Sequence, residues 1–182
     1  MFKLGILIFF GVHLIPFVKN LKLFLQDRLG DNFYKGLFSL VSLLGLLLII
    51  FGYENNSNFL YSVNDSVYLY SHYIMFTSFT LLIAANMPTF IQKVSKHPMS
   101  LGIAIWAILH LMTNSDINSV ILFGSFLGYS VISVLFSEFI YGPQVKEINP
   151  KITFDILSLA LGVLLTFLAY NFHDYLSGTS LS

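Results

Sequence analysis

The chain's chemical versatility rests on five histidines among 182 residues that include no cysteine. His13 and His110 lie inside long apolar runs, His97 stands directly before Pro98, His72 falls among tyrosines, and His173 follows the last apolar run. An ionisable side chain in lipid is costly, so it points inward and marks a candidate site. Without cysteine, disulfides, iron–sulfur clusters, thiolate catalysis and thiolate-bound haem are excluded. A zinc site would want three or four clustered ligands, yet no His-x-x-x-His or His-Glu pair occurs. Nucleophilic catalysis needs a base oriented by a third group, and no such arrangement can be read off. Haem iron asks less, since two imidazoles from separate helices and an apolar, aromatic pocket suffice. His13 has Phe9, Phe10 and Phe17 at helical spacings, and His110 has Trp106 four residues before it. His97 is a third candidate. A core histidine that only hydrogen-bonds a neighbouring helix fits the same pattern, so the residues alone leave both readings open.

The element that must carry His97 and His110 is the stretch Lys96 to Asn114. Pro98 suits a first helical turn, because its missing N–H has no intrahelical partner there. That places His97 at the cap, and His110 roughly 20 Å further along at 1.5 Å per residue. Trp106, His110 and Asn114, four residues apart, share one face with Ile103 one turn back.

Composition sets the surroundings. A hydrophobic fraction of 56% with only 10% charged residues lies far outside the soluble globular range. Nineteen phenylalanines and ten tyrosines suit lipid-facing surfaces and interfacial belts. With zero net charge and no basic block, nucleic acid is not an expected partner. The fold class that follows is all-α, a polytopic membrane bundle of about six helices in one domain over residues 1–182.

Six spans can be placed. Met1 to Val18 reads as a first spanning helix and not a cleaved signal peptide, because it lacks a small-x-small cleavage site. Lys19 to Lys35 is the most charged stretch, with a surface helix closing at Gly30. Spans follow at about Gly36 to Gly52, Tyr68 to Met87, Pro98 to Asn114, Asn118 to Phe136, and Phe154 to Tyr170 behind a Thr153 cap. Asn55-Asn56-Ser57-Asn58 centres one polar loop, and Gly142-Pro143 with Asn149-Pro150 breaks another. Gly36, Gly45, Ser39, Ser42 and the Gly124/Gly128 pair are small positions expected to let helices approach closely, and the last span carries Ser158 and Gly162. His72 reads as part of an interfacial tyrosine belt, and His173 as frayed and solvent-exposed.

His13-Leu14-Ile15-Pro16, Arg28-Leu29-Gly30, Lys35-Gly36-Leu37-Phe38-Ser39-Leu40, His97-Pro98-Met99-Ser100-Leu101-Gly102 and Ile105 to Asp116, continuing into Leu122 to Phe126, resemble, in that order, the NnrU family of bacterial integral membrane proteins. The motifs cover about Met1 to Ser137, and Ser115 stands where a glycine is expected. The family is associated with denitrification and nitric oxide metabolism, and is similar to the haem-dependent zeta-carotene isomerase. The resemblance implies a haem b pocket in which His13 and His110 match the isomerase's motif histidines and serve as iron ligands. Trp106 would line it, while His97 is expected at the surface, not as an iron ligand but near a haem propionate, because the capped helix start and Lys96 favour an anion. Where the isomerase has a cysteine three residues before the second histidine, this chain has Ala107. A thiolate-for-imidazole switch is therefore unavailable, which counts against isomerase chemistry itself.

Three functions remain in view: an NnrU-type haem protein of redox or nitrogen-oxide metabolism, a haem-dependent cis–trans isomerase of a hydrophobic polyene, and a cofactor-free transporter or accessory subunit. The ligand would be a polyene or a small redox molecule, and the oligomeric state is not fixed by sequence. Alternation of six spans puts eight of the nine Lys and Arg residues on one face, leaving only Lys3 on the other. Cationic loops stay in the cytoplasm, so the expected location is the bacterial inner membrane with both termini periplasmic. An alkaline phosphatase fused at Ser182 is expected to be active; an inactive fusion, with a cytoplasm-only reporter working there, contradicts this topology.

Overall fold

The computed structural model describes residues 1–54, 58–63, 65–140 and 148–177. Each apolar run forms a helix. The long ones are α1 (Phe2–Leu14), α3 (Asp31–Gly52), α4 (Ser71–Ala84), α6 (Pro98–Thr113), α7 (Ile117–Ile140) and α8 (Ile152–Asn171). Between or beyond them lie α2 (Lys19–Leu29), α5 (Phe90–Ser95) and α9 (His173–Ser177). By length and apolarity four segments can cross a bilayer: Asp31–Gly52, Ser66–Ala84, Ile117–Ser137 and Ile152–Asn171. Phe2–Phe17, bent by 96° into Lys19–Leu29, makes a fifth, and α6 is a shorter apolar helix. A polytopic helical membrane bundle results, as the composition requires.

Close contacts fix the direction of each long helix. Gly5 lies on the Ile49 backbone and Gly52 on that of Phe2, so α1 and α3 are antiparallel. Phe10 meets Phe126 and Phe17 meets Phe136, which makes α1 and α7 parallel. Ser78 donates to Gly102 O while Tyr68 donates to Thr113 O, so α4 and α6 are antiparallel. Ser100 with Ser133 and Trp106 with Phe123 give the same sense for α6 and α7. Thr80 against Gly162 and His72 against Tyr170 do so for α4 and α8. The six long helices therefore alternate. The start of α1 and the end of α8 share one face, called here the terminal face. Lys19, Lys22, Arg28, Lys35, Lys93, Lys96 and Lys151 lie toward the other, cationic face; Lys146 falls outside the described residues.

Packing inverts the soluble pattern. Leu7, Phe51 and Phe167 are well exposed, whereas the largest fully buried side chains are Thr89, Ser78, Ser119, Ser130 and Ser158. Lipid is as apolar as leucine, so helices associate by close approach of small residues and not by burying large ones. A Cβ on Gly5 would sit 2.7 Å from Ile49 N, and one on Gly45 would sit 2.8 Å from Phe9 N. At the cationic face Asp155 is buried and its carboxylate accepts from the N–H groups of Phe90 and Ile91, tying α8 to the start of α5.

Several expectations change. Gly36, Gly124 and Gly128 meet nothing within 4 Å, so the Gly124/Gly128 pair is not a packing seam; the tight positions are Gly5, Gly45, Gly52, Gly102 and Gly162. The α3 helix begins at Asp31, because Gly30 at φ +79° ends α2 and lets a new helix start at once with Lys35 bonded to Asp31 at 2.5 Å. Lys151, not Thr153, caps α8. The α7 helix continues to Ile140, while the turn residues 55–57 and 142–143 lie outside the described residues. Gly5→Leu should lower folded yield and thermal stability in detergent, overpacking of this kind costing about 1–3 kcal/mol. Gly124→Leu should leave both unchanged; the reverse ranking in a thermal-shift assay contradicts the assigned seam.

Candidate functional site: a histidine-lined cavity at the terminal face

His110 occupies the last turn of α6 and donates from Nδ1 to Trp106 O at 2.8 Å. A carbonyl only accepts, so this contact puts the proton on Nδ1 and leaves Nε2 with a free lone pair. That is the tautomer a metal-binding histidine uses, its other ring nitrogen held by a backbone carbonyl. The ring packs between Trp106 (5.0 Å) and Phe123 (4.5 Å), and Asn114 Nδ2 donates to His110 O. Trp106, His110 and Asn114 share a face as their spacing requires.

That face borders a cavity of about 1000 Å³. Helices α3, α4, α6, α7 and α8 contribute walls, with Met75, Phe79, Leu109 and Leu122 among the apolar linings. Its rim is polar. Tyr61 donates to the carbonyls of Leu111 and Asn114, tying the 58–63 loop over the end of α6. Leu60 N to Ser115 O and Ile117 N to Asn58 O extend that tie as a short antiparallel bridge. Asp116 accepts from the N–H groups of Asn118 and Ser119, capping α7, while Tyr53 and Ser119 join α3 to α7 at 2.6 Å. Burial, with the Asp116 charge adding to it, pushes the Tyr61 phenol up from its ordinary value, so it stays a neutral donor at physiological pH.

Three histidines line this cavity: His110, His72 from the first turn of α4, and His173 from α9. Sequence reasoning set His72 and His173 aside as belt and frayed tail. The structure instead has His173 half-buried in α9, with Asn171, Phe172, Asp174 and Tyr175 around it exposed. A readable signal existed. His72 opens its helix, His110 nearly closes one and His173 follows another, and alternation brings those three ends to one face.

His13 is elsewhere. It too donates from Nδ1, to Phe9 O at 2.7 Å, but its ring packs against Phe9, Phe38 and Tyr129 on the seam between α1, α3 and α7. Tyr129 is six residues from Phe123, the ring level with His110, a depth difference of roughly 9 Å. Rings in contact fill the interval: Phe9 meets Phe126 at 5.9 Å, and Phe126 meets Trp106 at 5.1 Å. His97 is the N-cap of α6 at the cationic face, beside Lys96 at φ 56°, and is outside the cavity. Among the described residues no three His, Cys, Asp or Glu side chains converge to hold a metal ion.

Alternating apolar helices around a one-sided internal cavity define a multi-pass helical membrane protein. The family model described as NnrU protein matches residues 1–181, and the chain belongs to the NnrU family. The match runs past Ser137, through α8 and α9. No curated protein and no solved structure matches the chain.

Proposed function

We propose that this NnrU-family membrane protein binds haem b in the terminal-face cavity, with His110 as an axial ligand, and acts in redox metabolism of nitrogen oxides linked to denitrification. The observation that carries this reading is the His110 ring, fixed by Trp106 O as the Nδ1–H tautomer at the wall of a large apolar cavity. Haem b, when bound, supplies an iron that changes oxidation state and takes small ligands. The chain's part is binding, orientation and exclusion of water. Trp106 O holds the imidazole plane, and Trp106 with Phe123 flanks it. Tyr61 closes the rim by bonding the last carbonyls of α6.

His110 fits the group, and the volume lies at the upper end of small-molecule sites, about 300–1000 Å³. His13 offers the same tautomer, but a cofactor shared between His13 and His110 would need Phe9, Phe126 and Trp106 to swing aside. On the topology that the cationic loops favour, the cavity opens to the periplasmic side of the inner membrane. Protein purified after expression with ample haem supply is expected to show a Soret band that shifts with dithionite, and His110→Ala to lose most of it. A haem-free wild type contradicts the reading and leaves a cofactor-free membrane protein.

A further inference from the structure

A second cavity, of about 350 Å³, lies between α1, α2 and α3 and shares no lining residue with the terminal-face cavity. It is a slot. It runs from Ile15 back to Leu7 on one side and from Tyr34 to Val41 on the other, roughly 11 Å at 1.5 Å per residue. Leu25 and Leu29 of α2 cover its end at the cationic face. Leu7 and Leu37 beside it are exposed, so its long side opens to lipid. Gly11 keeps the slot open: a Cβ there would meet nothing within 4 Å, whereas one on Gly5 or Gly45 would strike the neighbouring backbone.

Every side chain lining the slot is apolar except Tyr34. That residue is only 8% exposed, and its hydroxyl has no hydrogen-bond partner among the described residues. A helical side chain leans toward the start of its helix, so this hydroxyl lies near the cationic end of the slot. A buried donor left unpaired costs free energy, which an oxygen entering the slot would recover. Reaching it takes a small outward movement of α2, none of whose residues is buried. The mouth is positively charged. Helix α2 turns by 96° from the first helical segment, and with the first turn of α3 it carries Lys19, Lys22, Arg28 and Lys35 against Asp27 and Asp31. Arg28 stands over the Phe24 ring, and Lys35 bonds Asp31. Lys22 is half-buried on the face of α2 that carries Leu25 and Leu29, with Lys19 one turn before it.

We propose that this slot binds one acyl chain of an anionic phospholipid, with Tyr34 donating to an ester carbonyl and Lys19 and Lys22 holding the headgroup phosphate. The proposal is independent of the haem reading. Lipid tails surround any membrane helix, but a slot with a hydroxyl donor and an excess of cations at its mouth selects the charge of the head as well. Basic clusters beside a membrane helix attract anionic headgroups. On the topology that the cationic loops favour, the lipid comes from the cytoplasmic leaflet. Its tail fills the angle between α1, α2 and α3 and fixes α2 at the membrane surface.

The test is native mass spectrometry of the full-length protein, delipidated in detergent and titrated with dioleoyl phosphatidylglycerol or dioleoyl phosphatidylcholine. Wild type should retain a first equivalent of phosphatidylglycerol at a concentration lower than that for phosphatidylcholine by on the order of tenfold. Gly11→Leu, whose side chain enters open space, should keep the lipid-free unfolding temperature and lose the first equivalent of both lipids. Tyr34→Phe should weaken retention of both by about 2–10-fold. Lys19→Gln combined with Lys22→Gln should erase the preference while phosphatidylcholine binds as it does to wild type. Equal retention of the two lipids by wild type, or a first equivalent that survives Gly11→Leu, overturns the proposal. So does a Tyr34→Phe variant that matches wild type, or a preference that persists in the double lysine variant. A lipid-independent dimer that Gly11→Leu dissolves also overturns it, since the slot then holds a second copy of the chain.

Discussion

Polar groups inside a bilayer must be bonded by the chain itself, since no water reaches them and each unsatisfied group costs several kcal/mol. Much of this chain meets that constraint with one repeated device, a side chain bonded to the carbonyl four residues back, although the buried Thr80 hydroxyl has no hydrogen-bond partner among the described residues. Ser42, Ser125, Ser130, Ser158 and Thr166 all use it, keeping small polar residues on helix faces that other helices approach. His13 and His110 use the same device through Nδ1. The outcome is chemical as well as structural, because each ring is locked with a bare Nε2. Satisfying the ring donor thus fixes both tautomers, and the surroundings differ, since of the two rings only His110 borders the terminal-face cavity.

Those surroundings come from how the two halves of the bundle meet. The pair α1 and α3 is held by glycine contacts at Gly5, Gly45 and Gly52, and α4, α6 and α8 by those at Gly102 and Gly162. Between the halves, α1 meets α7 through rings: Phe9, Phe10 and Phe17 against Phe126, Tyr129 and Phe136. Aromatic rings hold helix axes apart but fill the gap they create. The seam is therefore closed around His13. At the terminal face the helix ends and the 58–63 loop leave open volume beside His110.

How much of this was legible follows the same physics. Long apolar runs fix helix existence, so the six long helices, the Pro98 start and the Gly30 stop were readable from residue type alone, although only four or five of those helices are long enough to cross a bilayer. Which small residues are contacts was not: Gly45 and Gly162 touch other helices while Gly36, Gly124 and Gly128 face open space. A glycine permits approach but does not say which face a neighbour takes. The short α5 helix and the extension of α7 to Ile140 lacked a strong apolar period or a stop signal. For the site, the motif pointed to His110 and Trp106, which the cavity contains, and to His13 and His97, which it does not. His72 and His173 were hidden because a histidine near a helix end resembles a surface residue until the other helix ends are placed around it.

The most direct test is a cryo-electron microscopy map of the protein purified after expression with ample haem supply, bound to a rigid antibody fragment for alignment. With haem bound as proposed, flat density with a strong central peak is expected in the terminal-face cavity, joined to His110. Density wedged between α1 and α7 at the depth of His13, with Phe126 and Phe9 rotated out, would contradict it.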